Sequence, residues 1–105
     1  MEEKKYNGWT NYETWNIKLW LDNDEAGQDL QRALLDDAWA TPKNPMWTRE
    51  DTTKFTLADL IKDYIEENNP LAGDASMYAD LIGAAICEVN FNEIAQAIMD
   101  DNADN

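Results

Sequence analysis

The sequence predicts an all-α fold, a compact bundle of four to five short helices forming a single domain over residues 1–105. Apolar residues recur with helical spacing in five stretches, whereas no stretch alternates with the period of two of a strand for more than a few residues. β-branched residues, which favour strands, are scarce. With 44% hydrophobic and 29% charged residues, a chain of 105 residues contains enough apolar side chains to fold on its own.

The first helix is predicted over residues 11–21. Thr10 and Glu13 have the spacing of a capping box, which places the helix start at Thr10. One broad face of this helix is aromatic, and we expect its two tryptophans in the core; the face comprises Tyr12, Trp15, Leu19 and Trp20. Residues 1–9 are expected to form a loose lead-in.

The second helix is predicted over residues 25–40, and prolines beyond its end prevent its continuation. Residues 41–55 are therefore expected to form a long connection, with a turn of helix after Thr48, and its length leaves a short helix or a hairpin as alternatives. The third helix is predicted to begin at 56–59 and to end before Pro70. Its apolar stripe has i, i+3, i+4, i+7, i+8 spacing and consists of Leu57, Leu60, Ile61, Tyr64 and Ile65.

The fourth and fifth helices are predicted on either side of Asn90. Asp74 or Ser76 is expected to cap the fourth, whose apolar residues run from Met77 to Val89, and Asn90 caps the fifth. Cys87 is expected to be a small buried hydrophobe of the fourth helix. The polar tail, residues 101–105, is expected to fray.

Residues that commonly carry catalysis are missing. The chain has no His and one Cys, which excludes an internal disulfide and removes the commonest zinc ligand. Residues 22–27 resemble the start of a calcium loop, but Ala33 stands where the closing bidentate Glu is required. Adjacent carboxylates such as Asp36 and Asp37 point about 100° apart on a helix and do not form an acid/base pair. We therefore expect no enzymatic activity, no cofactor and no metal.

A membrane role is not expected either. No apolar run approaches the roughly 20 residues that span a bilayer, and the N-terminal residues lack the apolar segment of a signal peptide. The expected location is the cytoplasm.

The most unusual property is the charge. Twenty-two acidic residues stand against eight basic ones, a net charge of −14. Residues 1–62 hold all eight basic and twelve acidic residues, net −4, whereas residues 63–105 hold ten acidic and no basic residues, net −10. Such a surface repels nucleic acid and attracts basic protein grooves, so a basic partner is expected and direct nucleic-acid binding is not.

Acidic residues follow helical stripes, with neighbours at i, i+3 and i+4 about 5–6 Å apart, comparable with successive phosphates along a DNA strand. On this interpretation each carboxylate of a partner-binding surface stands for a phosphate oxygen. The candidates are Asp59, Asp63, Glu66, Glu67, Asp74, Asp80, Asp100, Asp101 and Asp104. The alternative is a solvated helix face on a protein that is acidic for solubility.

Aromatic residues provide a second candidate surface. All five tryptophans lie in the first half of the chain, and two of them are in loop-like segments, where they either cover a core edge or anchor a partner. The candidate residues are Tyr6, Trp9, Tyr12 and Trp47. Core-edge packing is the favoured interpretation; if these residues instead anchor a partner, the protein is a protein-interaction module or small regulatory subunit. Charge repulsion favours a monomer, and any homodimer is expected to form through the less charged N-terminal half.

Residues 7–24, NGWTNYETWNIKLWLDND, resemble an N-terminal signature of small proteins of unassigned function from phages, plasmids and their prokaryotic hosts. Residues 88–95, EVNFNEIA, are similar to the matching C-terminal element. The resemblance implies a mobile-element origin and no catalytic residues.

Small acidic helical proteins from such sources are similar in composition and genomic setting to DNA mimics that inhibit restriction enzymes or CRISPR effectors. By that analogy we expect a non-enzymatic inhibitor of a nucleic-acid-targeting defence system, present in the host cytoplasm if it is phage-encoded. The eight basic residues of the first half indicate a partial mimic.

Overall fold

Five α-helices make up the regular secondary structure of residues 6–103, the part of the chain that the computed structural model describes. They are α1 (Tyr12–Asp22), α2 (Glu25–Ala40), α3 (Arg49–Glu67), α4 (Met77–Cys87) and α5 (Phe91–Asp101). The predicted all-α bundle of about five short helices is confirmed.

The core lies between α2, α3 and α5. The longest helix, α3, packs against both α2 and α5, and α1 covers the side of the bundle formed by α2 and α5. The buried apolar residues come from these three helices and are Leu35, Ala38, Leu57, Ala58, Ile61, Ile94, Ala95 and Ile98. The amphipathic stripe predicted for the third helix therefore contributes Leu57 and Ile61 to the core.

Each helix starts after a polar residue whose side chain accepts a backbone N–H from the first turn. These caps are Asn11, Asp24, Thr48, Ser76 and Asn90. The first differs from the predicted one, because Asn11 Oδ1 accepts the N–H of Thr14 at 3.0 Å. The backbone N–H of Thr10 donates to Glu93 of α5 at 3.1 Å. A long-range contact thus replaces the local capping box expected with Glu13.

The third helix begins at Arg49, about two turns before the predicted start. The connection from α2 is therefore residues 41–48, and the longer connection predicted over 41–55 is wrong. Thr48 caps the new start, and the Arg49 guanidinium donates to the carbonyl oxygen of Thr41 at 2.8 Å. A side chain of α3 therefore satisfies a backbone acceptor at the end of α2, which brings the two helices close together without a long loop.

Residues 6–9 form a tight turn, so this part of the predicted lead-in is ordered. Tyr6 and Trp9 exchange both backbone hydrogen bonds, at 3.0 and 2.7 Å. Asn7 and Gly8 have φ values of 46° and 88°, the left-handed pair that a type I′ turn requires and that Asn-Gly favours. The remaining residues of the predicted lead-in, 1–5, lie outside the described residues.

The aromatic face of α1 is not its buried face. Trp20, predicted in the core, is 67% exposed, and the buried residues of α1 are Thr14 and Lys18. Trp15 is half-buried. The reason is that α5 and its N-cap provide polar partners for α1. The Asn90 N–H donates to the Thr14 hydroxyl, and Lys18 donates to the Asp101 carboxylate. The polar stripe of α1 therefore turns inward.

The fourth helix stands apart from the core. It buries none of its residues, and within residues 6–103 no other helix packs extensively against it. Cys87, predicted to be buried, is exposed. None of the helices in this described range is both long and apolar enough to cross a membrane. The helix α5 continues to Asp101, so the first residue of the predicted frayed tail is helical.

Candidate functional site

Four candidate carboxylates form one exposed face of α3, which we call the α3 acidic face: Asp59, Asp63, Glu66 and Glu67. Positions 59, 63 and 66 are spaced i, i+4, i+7, and all four residues are exposed. Lys62 lies 3.9 Å from Glu66, and both side chains are more than half exposed. An exposed pair of this kind is weak and leaves the face strongly negative.

Asp80 extends this charge onto α4. It shares a flank of that helix with Gly83 and Cys87, at i+3 and i+7. Both of these residues line a cavity of about 460 Å³ together with Glu66. Asp80 is exposed and lies on the same flank of α4 as these two cavity-lining residues. Asp74 is exposed in the connection that precedes α4.

The other candidates lie at the opposite end of the bundle. Asp100 shares a cavity with Glu50, in the first turn of α3, whereas Glu66 and Glu67 are in the last turn. These turns are separated by most of a 19-residue helix, or about 25 Å. Asp100 accepts a hydrogen bond from Gln96, and Asp101 pairs with Lys18 at 3.3 Å. The structure therefore does not join these two residues to the α3 acidic face. Asp104 lies outside the described residues.

The aromatic candidates separate into three places. Tyr6, Tyr12 and Trp15 form a cluster of rings with centroids 4.8–5.6 Å apart. Trp9 packs against the core. Trp47 is partly exposed, with its ring centroid 5.0 Å from that of Phe55. Trp15, expected in the core, thus belongs to the cluster that includes Tyr6 and Tyr12.

A polar seam joins the two signature segments, residues 7–24 and 88–95. Besides the bond from Thr10 to Glu93, the Asn11 side chain donates to the carbonyl oxygen of Glu88 at 2.7 Å. The Asn90 N–H donates to Thr14 Oγ1 at 2.9 Å. The hydrogen bonds of this seam hold α1 against the start of α5, so its residues have a structural role.

An apolar groove along α1 was not predicted from the sequence. Two adjoining cavities, of about 380 and 420 Å³, share Asn16, Ile17 and Ile65 and lie between α1 and the C-terminal half of α3. Ile82 and Ile86 of α4 close one end, and Trp20 stands at the other. The aromatic residues on one face of α1 are the sequence signal for such a surface. From the sequence alone, however, their helical spacing favours a buried face.

Among the described residues, no group of three or more Cys, Asp or Glu side chains is arranged to hold a metal ion. The arrangement offers charged and apolar surfaces for binding.

Comparison with known proteins gives a family without an assigned activity. No curated protein and no solved structure matches the chain significantly. The model of DUF7249, a family of unknown function, matches residues 2–104. Because this match spans nearly the whole sequence, the chain belongs to the DUF7249 family.

Proposed function

We propose that this protein is a non-enzymatic inhibitor of a nucleic-acid-targeting defence system, anti-CRISPR or anti-restriction, that binds a basic groove of its target as a partial DNA mimic. The observation that carries the proposal is the α3 acidic face, where four exposed carboxylates follow one side of a helix. They repeat at about 5–6 Å, on the scale of a phosphate backbone.

The distribution of charge supports a local mimic. The binding surface we propose runs from the α3 acidic face to Asp80 and Asp74. It excludes Asp100 and Asp101, which lie at the other end of the bundle. The partner is a basic nucleic-acid-binding protein, such as a defence nuclease or effector complex, and the inhibitor acts as a cytoplasmic monomer that does not itself bind nucleic acid.

Competition with DNA tests this proposal. The protein is expected to displace a labelled duplex from a CRISPR effector or restriction enzyme, and to do so less well as salt rises, because steering between charged surfaces is screened. Reversal of three carboxylates of the α3 acidic face, Asp63→Lys, Glu66→Lys and Glu67→Lys, should abolish displacement.

A charge-matched control separates the site from net charge. Asp29→Lys, Asp36→Lys and Asp37→Lys change three exposed carboxylates of α2 by the same total charge and should leave displacement largely intact. Equal loss in both triple variants, or an affinity that ignores salt, contradicts the mimic.

A second candidate function is a protein-interaction module or small regulatory subunit of a mobile element that binds through aromatic residues. It is favoured by the ring cluster of Tyr6, Tyr12 and Trp15 and by the partly exposed Trp47. Under this alternative, Trp47→Ala abolishes partner binding and the triple reversal on α3 barely changes it. The mimic predicts the opposite pattern.

A further inference from the structure

The groove along α1 exposes a large aromatic side chain toward each of its ends. Trp20, at one end, is 67% exposed, and Tyr12, toward the other end, is 51% exposed. Ile17 and Ile65 lie between them at the floor. Exposed aromatic residues around an apolar floor are typical of sites where a partner side chain is buried.

The length of the groove along α1 suits a short helix. Tyr12, Asn16 and Trp20 line it at i, i+4 and i+8, so its wall along α1 is about 12 Å long. That length accepts two turns of an amphipathic helix, whose apolar residues at i, i+3 or i+4 and i+7 would rest on the floor.

The negative charge around the groove favours a basic binding partner. Glu13 and Asp24 line the two cavities, and none of the described residues that line them is Lys or Arg. The basic residue within α1, Lys18, is buried against Asp22 and Asp101 and does not reach the groove. An apolar floor between acidic edges complements an apolar stripe flanked by basic side chains.

We propose that this groove binds a basic amphipathic helix of a partner protein, at a surface distinct from the α3 acidic face. The α4 surface of a second copy is a poor occupant. Its exposed apolar residues, around Tyr78 and Leu81, belong to residues 63–105, which carry ten acidic residues and no basic residue. Docking that surface here would bring like charges together.

Titration of the full chain with defined peptides tests the inference. The probe is an 18-residue helix of Leu and Lys with the Leu residues on one face, and its control carries Glu in place of every Lys. The Lys peptide should bind and shift the backbone amide NMR signals of α1 and of Tyr64, Ile65, Asn68 and Asn69, which line the groove, more than those of Asp59 and Asp63 of the α3 acidic face. The Glu peptide should not bind.

Two tryptophan variants distinguish the groove from general attraction to an acidic protein. Trp20→Ala should weaken the Lys peptide at least tenfold, whereas Trp39→Ala, which removes a 44% exposed Trp outside the groove, should change its affinity less than twofold. Both side chains are exposed, so both variants should fold, as circular dichroism will verify. Glu13→Lys should also weaken binding more than the exposed control Asp36→Lys.

Three outcomes overturn the inference: equal binding of the Glu peptide, equal loss in the two tryptophan variants, or a peptide-free dimer that Trp20→Ala dissolves. The last would make a second copy the occupant. The titration involves no nuclease and no DNA, so its result is independent of whether the proposed inhibition occurs.

Discussion

Lys18 of α1 and Asp101, the last residue of α5, form an ion pair at 3.3 Å across the bundle. The same ammonium group lies 2.7 Å from Asp22, whose carboxylate also accepts a hydrogen bond from Gln31 of α2 at 3.0 Å. Lys18 is only 5% exposed. One buried lysine thus links the C-terminal ends of α1 and α5. These two ion pairs explain why a lysine is buried in a strongly acidic chain.

Replacing Lys18 with Met should destabilise the protein by about 1–3 kcal/mol, since the charged hydrogen bonds to two carboxylates are lost while the apolar stem is retained. Arg32→Met is the matched control, because its pair with Asp29 is exposed and should contribute less than about 1 kcal/mol. Urea unfolding measures both values. Equal costs would show that the position of Lys18 in the bundle has no energetic consequence.

The hydroxyl of Thr14 should contribute to stability through the N–H of Asn90. Thr14 is fully buried, and its Oγ1 also donates to Asn11 at 2.6 Å. Thr14→Val removes the acceptor of the part-buried Asn90 N–H, at an expected cost of about 1–3 kcal/mol. Thr14→Ser keeps the hydroxyl and should cost less than the Val variant. A thermal melt in which Val is tolerated better than Ser would contradict the role of the seam.

Gly27 permits the close approach of α2 to the end of α1. A Cβ at this position would overlap the carbonyl group of Leu21, so Gly27→Ala should destabilise the fold by about 1–3 kcal/mol. Gly83, in α4, has no neighbour that an added Cβ would meet, and Gly83→Ala should stabilise that helix by about 0.5–1 kcal/mol. Unfolding midpoints of the two variants should therefore shift in opposite directions.

The fourth helix should open more readily than the others, because it buries no residue and has little contact with its neighbours. In native-state hydrogen exchange, amides of residues 81–87 are expected to exchange faster than those of residues 57–65 and 94–98. Protection of α4 equal to that of α3 would mean that α4 unfolds together with the core.

Salt should stabilise the protein at neutral pH. The net charge of −14 produces self-repulsion, which screening reduces as the Debye length falls from about 30 Å at 0.01 M salt to about 10 Å at 0.1 M. The melting temperature should rise over this range, and it should rise less in the control variant in which Asp29, Asp36 and Asp37 are Lys. A melting temperature that is independent of salt would indicate that the acidic residues are too dispersed to repel one another.

The sequence determined the all-α class and most of the helix boundaries, because caps and apolar periodicity act within a few residues. Asp24, Ser76 and Asn90 lie at the starts that local chemistry requires. It also determined the charge asymmetry, from which the exposed carboxylates of α3 follow, since charged residues opposite an apolar stripe face solvent.

The tertiary structure decided which face of α1 is buried and where α3 begins. Periodicity identifies the apolar face of a helix, but which face is buried depends on the residues of the neighbouring helix. Here Asn90 and Asp101 of α5 and its cap form hydrogen bonds with the polar side of α1. Thr52 and Thr53, near the start of α3, are buried although residues of this type are common in loops. The backbone N–H of Asn44 donates to the Thr52 hydroxyl, and the Thr53 hydroxyl donates to the carbonyl oxygen of Arg49.

The same limit applies to the candidate surfaces. Asp63 and Glu66 share a face because they are neighbours on one helix, which the sequence specifies. Trp20 is exposed and Asp100 lies beside Glu50 because the surroundings of both residues depend on contacts between segments far apart in the chain. The separation of Asp100 from the α3 acidic face and the groove beside Trp20 arise from how α1, α3 and α5 pack, and no local pattern encodes that packing.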